Sequence, residues 1–143
     1  MSETDKKLKI LVKEPYKAPY VKEIDGSLES MQKIVGGYIE CVPMPTVDGV
    51  DLYVNEEGKL EAQLGNFWLP EYEDCAVGTC FMVGFNPETG ETKDITDRQI
   101  KECNKYIDFF KLPKDKDLYF NFDDLEAFMK GQARKFNKLC AEM

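Results

Sequence analysis

Turn-forming residues recur so often ahead of Thr96 that no long regular element fits between them. Pro15 and Pro19, Asp25-Gly26, Gly36-Gly37, Pro43 and Pro45, Asp48-Gly49, the 55–58 turn and the 86–90 loop divide that stretch into short pieces. Residues 7–13 alternate charged and apolar side chains, the period of a half-buried strand. Residues 20–24 return on it as the second arm of a hairpin. Ser27 is positioned to cap a short helix, with Ser30 rather than Glu three residues on, so the capping box is incomplete. Leu28, Met31, Ile34 and Val35 share one face of that helix, and Gly36-Gly37 ends it. Residues 38–42 and 50–54 form a second hairpin around the Asp48-Gly49 turn. Residues 59–70 fit either a strand or an irregular loop. Residues 75–85, dominated by Val, Thr, Cys and Phe, read as one strand in which Gly78 marks a bulge or a close backbone approach. Residues 92–95 make a short return strand.

Beyond this point the period changes to that of helices. Thr96 with Gln99 is a capping pair, and Ile100, Cys103, Ile107 and Phe110 form an apolar stripe that Pro113 stops. Residues 114–117 are a charged linker. A second helix begins near Asp123, with Asn121 as its cap. Leu125, Phe128, Met129, Phe136, Leu139 and Cys140 mark its buried face, and Lys130, Arg134, Lys135 and Lys138 its solvated one. Gly131 interrupts it at a cost of about 1 kcal/mol. The expected fold class is α+β: a mostly antiparallel sheet with one short helix after the first hairpin and two C-terminal helices. No βαβ alternation occurs, which argues against a Rossmann arrangement.

The 143 residues carry a net charge of −8, and the acids are unevenly spread. Residues 25–95 hold 14 Asp and Glu against 3 Lys, while both flanks are slightly basic. That balance argues against a surface for duplex nucleic acid, which needs Lys and Arg to neutralise phosphates. There is no histidine, so imidazole acid–base chemistry, His triads and His-ligated metals are excluded. The five cysteines are widely spaced with no Cys-x-x-Cys pair, and read as buried free thiols of a cytoplasmic protein. No apolar run approaches the roughly 18 residues of a membrane span. Neither a phosphate-loop motif nor EF-hand spacing is present, and no metal or cofactor is expected.

The residues that stand out are polar and aromatic side chains of the acidic middle. Asn55 and Glu56 in a Gly-containing turn, with Asn66 from the next segment, could fix a polar ligand through hydrogen bonds. Tyr38 and Glu40 share one strand face, and Phe67 and Trp68 supply aromatic surface for stacking or for a core. Glu56, Glu57, Glu71, Glu73 and Asp74 would steer encounter with a basic partner. Two uses follow. An acidic face docks on a host protein with a basic surface, or an oligomer sequesters a nucleotide signal in a pocket of Tyr38, Asn55, Asn66 and Trp68. The second use needs Lys59, Arg98 or backbone amides close to an anionic ligand. Homo-oligomerisation through the last helix, residues 123–143, is a third, blander alternative.

Three segments in this order carry a family resemblance: KILVKEPYKAPYVKEIDGSLESMQKIVGGYIECVPMP, YVNEEGKLEAQLGN, and VGTCFMVGF ahead of the Thr96 helix. The chain resembles the domain of unknown function 3846 family over residues 7–110, most specifically in VGGYIE, NEEGKL and the Asn66 that follows. The resemblance implies an accessory protein of a phage, prophage or other mobile element, acting in the host cytoplasm, and implies no established activity. On this basis the chain divides into a family-like α+β domain, residues 1–112, and a linker with a C-terminal helical extension, residues 113–143.

Overall fold

Strand β1 (Leu8–Lys13) has apolar side chains on both faces, and a separate core grows on each. Leu8, Ile10 and Val12 belong to one and Leu11 to the other. The computed structural model describes residues 7–44, 46–58, 64–112 and 122–141, with side chains of the last stretch from Ala127 onward. Five sequence expectations lie outside the described residues: Pro45, positions 59–63, the Pro113 stop with the 114–117 linker, the Asn121 cap and the Leu125 side chain.

The remaining strands are β2 (Tyr20–Ile24), β3 (Ile39–Pro43), β4 (Val50–Asn55), β5 (Gly65–Leu69), β6 (Asp74–Val77), β7 (Cys80–Phe85) and β8 (Thr92–Lys93). The helices are α1 (Leu28–Val35), α2 (Asp97–Phe110) and α3 (Phe122–Ala141), and a 3-10 turn spans Pro70–Tyr72. The main sheet runs β2-β1-β7-β4-β3 with β8 added to β7, while β5 and β6 pair separately. Every pairing is antiparallel, and the fold is α+β.

Helix α1 crosses one face of the main sheet, placing Met31 and Val35 against Ile10, Val12, Phe81 and Val83. The Ser27 hydroxyl accepts from the Ser30 amide at its start. Asp25 adds an acceptor for the Ser30 hydroxyl at 2.6 Å and for the Ser27 amide at 2.9 Å. Those bonds to its charged form hold the Asp25 carboxyl down at about 2. The opposite face of the sheet, through Leu11, Leu52 and Met82, lies under β5–β6, α2 and α3. Tyr106, Phe110 and Phe136 pack there with ring centroids 4.8 to 5.8 Å apart. Met129 and Phe136 of α3 share this core with α2, so the terminal helix packs on its own chain.

Helix α2 opens with the capping box that Thr96 and Gln99 suggest: Gln99 N donates to Thr96 Oγ1 at 3.1 Å, and Thr96 N to Gln99 Oε1 at 3.0 Å. The other end of the Gln99 amide donates to the carbonyls of Asp48 and Gly49. The cap therefore also ties α2 to the β3–β4 turn.

Three expectations need correction. The run 75–85 is two strands in different sheets, separated by a corner at Gly78, whose φ of 72° L side chains rarely adopt. Apolar composition is the same on both sides of that corner, so periodicity does not reveal it. On α3 the buried stripe is narrower than the spacing suggests: Met129 and Phe136 are covered, whereas Phe128, Leu139 and Cys140 are exposed. Finally, Cys41 and Cys140 are exposed, Cys75 is half-buried, and Cys80 and Cys103 are buried.

Two outcomes follow. Gly78→Ala must hold an L side chain in the left-handed region and should lower stability by about 1–2 kcal/mol in urea unfolding. In native protein at pH 8, a thiol reagent should modify Cys41 and Cys140. Cys80 and Cys103, which burial pushes up to about 12, should react only on unfolding.

Candidate functional site

Among the described residues, three polar or charged side chains are buried: Lys13 at 3%, Asn55 at 5% and Asn66 at 1% exposure. Burying a polar group costs free energy unless its hydrogen bonds are replaced. Asn55 ends β4, where its Nδ2 donates to the Val35 carbonyl at 3.1 Å and its Oδ1 accepts from Glu57 N at 2.8 Å. Beside it, Glu56 N donates to the Tyr38 carbonyl. Helix α1 stops there because Gly36 takes the left-handed conformation, φ 80°. A Cβ on the following Gly37 would lie 2.8 Å from Asn55 Nδ2. The double glycine and the asparagine are thus two halves of one latch. The amide of Asn55 is spent on the backbone.

Asn66 is anchored in the same way between the two sheets. Its Nδ2 donates to the carbonyls of Lys13 at 2.9 Å and Gly78 at 2.8 Å. Its Oδ1 accepts from Lys13 Nζ at 2.9 Å. Lys13 Nζ also donates to the Glu14 carbonyl at 2.6 Å, so both of these acceptors are neutral oxygens. Burial lowers the Lys13 pKa first and Lys111 lowers it further, against opposing attraction from Cys80 and Glu14. Cys80 lies alongside as a neutral thiol, pushed up to about 12 by burial, which makes it a poor nucleophile.

Sequence reasoning passed over Lys13. The alternation of residues 7–13 marks its lysines as the solvent face, whereas in the fold Asn66 of β5 bonds to Lys13 at the end of β1 and the lysine is buried. Lys13 and Asn66 line a cavity of about 510 Å³, together with Lys17, Lys111, Asp108 and the apolar side chains of Ile107, Phe109, Leu112 and Phe128. A second, smaller cavity of about 330 Å³ is lined by Gln32, Gly37, Tyr38, Asn55 and Glu57.

The four residues assigned to a nucleotide pocket are therefore not brought together as one site. Tyr38 is 69% exposed and lines the small cavity with Asn55, whereas Asn66 lines the large one. Trp68 is 1% exposed and packs in the core with Phe67, leaving no ring face for a ligand.

The acids distribute along β3, an edge strand of the main sheet. Glu40 is on it, and Glu56 and Glu57 sit in the turn bonded to Tyr38 at its start. At its far end the 3-10 turn docks through the Tyr72 hydroxyl, which donates to the Pro43 carbonyl at 2.6 Å. Glu71 accepts from Thr46 Oγ1 at 2.9 Å and from the Tyr106 hydroxyl at 2.7 Å, so it serves the fold. Burial and that carboxylate raise the Tyr106 pKa. Glu73 takes a left-handed conformation, φ 48°, and Asp74 accepts from the amide of Cys75. Among the described residues Glu40, Glu56, Glu57 and Glu73 are exposed and form no ion pair, and no group of three acids or cysteines is placed to hold a metal ion.

The model of a domain of unknown function, DUF3846, matches residues 8–111. The chain belongs to the DUF3846 family. No curated protein and no solved structure matches it. Within the DUF3846 domain, the VGGYIE and NEEG segments meet in the Asn55 latch, and Asn66 closes the junction of its two sheets. Helix α3 lies beyond the matched residues yet completes the domain's core through Met129 and Phe136.

Because each buried acceptor left unpaired costs about 1–3 kcal/mol, Asn66→Ala should destabilise the domain by about 2–4 kcal/mol. Asn55→Ala should cost about 1–3 kcal/mol. Urea midpoints measured with an unchanged m-value would establish both; near-zero shifts would show that water replaces the side-chain bonds.

Proposed function

We propose that this DUF3846 protein is a non-catalytic accessory protein of a phage or other mobile element. In this reading it acts in the host cytoplasm, docking on the basic surface of a host protein, such as a defence component, through the acid-lined edge of β3. The mobile-element setting comes from the family resemblance. One observation carries the docking surface: exposed carboxylates flank a sheet edge, and those of Glu40, Glu56, Glu57 and Glu73 have no cationic partner among the described residues. Unpaired surface acids raise the encounter rate with a basic patch, and they cost little to desolvate at an interface rim. Glu71 and Asp74 contribute mainly by holding the 3-10 turn and the start of β6 in place. Among the described residues no helix is long and apolar enough to cross a membrane.

Such a contact should be salt-sensitive, since exposed charges are screened over about 8 Å at physiological ionic strength. Affinity capture from host lysate should recover a stoichiometric basic partner at about 50 mM salt and lose most of it at about 500 mM. A triple reversal, Glu40→Lys with Glu56→Lys and Glu57→Lys, should abolish capture while leaving the melting temperature near its original value. If the triple variant still captures the partner but aggregates when kept alone, the acids guard the open sheet edge and the docking reading is wrong.

A further inference from the structure

The docking surface uses none of the large cavity between β1, the β1–β2 loop, α2 and α3, which is unlike the rest of this acidic protein. Of the three buried polar side chains among the described residues, two line it: Lys13 and Asn66. Among the described residues, its charged lining is three lysines, Lys13, Lys17 and Lys111, against one acid, Asp108. The rest is largely apolar, with Phe109 and Phe128 contributing aromatic rings. A volume of about 510 Å³ falls inside the range of small-molecule sites, and such sites combine apolar walls with a few placed polar groups.

The charges in this cavity are poorly neutralised from within. Among the described residues, Lys13 Nζ donates to neutral acceptors, the Glu14 carbonyl and Asn66 Oδ1. Lys111 lines the same cavity as Lys13 and repels its charge, while the Glu14 carboxylate attracts it. The carboxylates beside the other two lysines are at the long end of ion-pair range: Lys17–Glu14 at 3.5 Å and Lys111–Asp108 at 3.8 Å. An anion between Lys13 and Lys111 would relieve that repulsion. It would also supply a charged acceptor for an ammonium that lacks one among the described residues, and bonds between charged groups are stronger than those to neutral oxygens.

We propose that this cavity binds a small organic anion, whose phosphate or carboxylate group sits against Lys13 and Lys111 and whose apolar body lies along Phe109 and Phe128. Asn66 positions Lys13 and closes the polar end. The site takes the sign of ligand that the whole protein's charge disfavours, because the lysines are gathered locally. It involves none of the acids along β3, so the two proposals stand or fall separately.

The test is calorimetric titration of the full chain with adenosine 5′-monophosphate and with 1-naphthoate, each paired with its neutral counterpart, adenosine and 1-naphthalenemethanol. At least one anion should bind one-to-one, about tenfold or more tighter than its neutral partner. The better anion distinguishes a phosphate ligand from a carboxylate one. Lys111→Gln, an exposed position that should fold normally, ought to weaken binding about fivefold or more, and Lys13→Met more strongly. Lys101→Gln, an exposed lysine outside the cavity lining, should leave affinity unchanged. Should Lys13→Met fail to fold, the side-chain amide resonances of Asn66 in the unmodified protein give the same answer, because ligand beside Lys13 must shift them. The proposal is overturned if neither anion binds at millimolar concentration. It is equally overturned if the neutral analogues bind as well, or if Lys111→Gln has no effect and the Asn66 amide does not move.

Discussion

The side-chain amide of Asn66 is the point on which the two halves of this fold depend. Strand β1 ends at Lys13, and the chain turns from the small sheet into the main one at Gly78, so both carbonyls face inward where the two sheets abut. One amide nitrogen satisfies both, and the amide oxygen accepts from the lysine on the strand it clamps. The main chain extends the junction: Leu112 N reaches the Asn66 carbonyl at 3.4 Å, and Phe67 bridges to Lys111. Strand β5, the end of α2 and the end of β1 are thereby held together. A hydrophobic residue at position 66 would bury as well but would leave those groups without partners, which is the costlier error in an interior.

A second asparagine performs the corresponding task on the other side of the main sheet. Asn55 reads the end of α1 through the Val35 carbonyl, and Gly37 lets the backbone approach the amide where any side chain would collide. The Gly36-Gly37 and Asn55 segments, and Asn66, are therefore parts of the architecture. Their polar residues stand out in a sequence for the same reason that ligand-binding residues do: each is an amide placed where hydrogen bonds must be directional. Local sequence does not distinguish an amide that holds a ligand from one that holds a backbone.

Charge is separated in space as well as in sequence. Glu40, Glu56, Glu57 and Glu73 lie on or beside the β3 edge, whereas three lysines contributed by β1, the loop after it and the end of α2 line one cavity. The fold brings about this second grouping, since Lys13 and Lys111 are far apart in the chain and meet only because α2 returns over the end of β1. An electrostatic count over the whole molecule, or over any contiguous stretch, hides it.

How much of this was legible in advance varies with the range of the interaction. The α+β class, the hairpins, the Ser27 and Thr96 caps and the Gly36-Gly37 stop were readable, because each depends on residues within four positions of one another or on the strand period itself. The apolar stripe of α2 was readable for the same reason. The corner at Gly78 was not, since one glycine in an apolar run serves a bulge or a change of sheet equally well. Nor were the burial of Lys13 and Asn66, or the exposure of Phe128 on α3, because covering a side chain is decided by which distant element packs over it. Local bonding rules written in the sequence determined the elements and where they stop; the stacking of β5–β6, α2 and α3 on one face of the sheet decided which amides became struts and which lysines came to share a cavity.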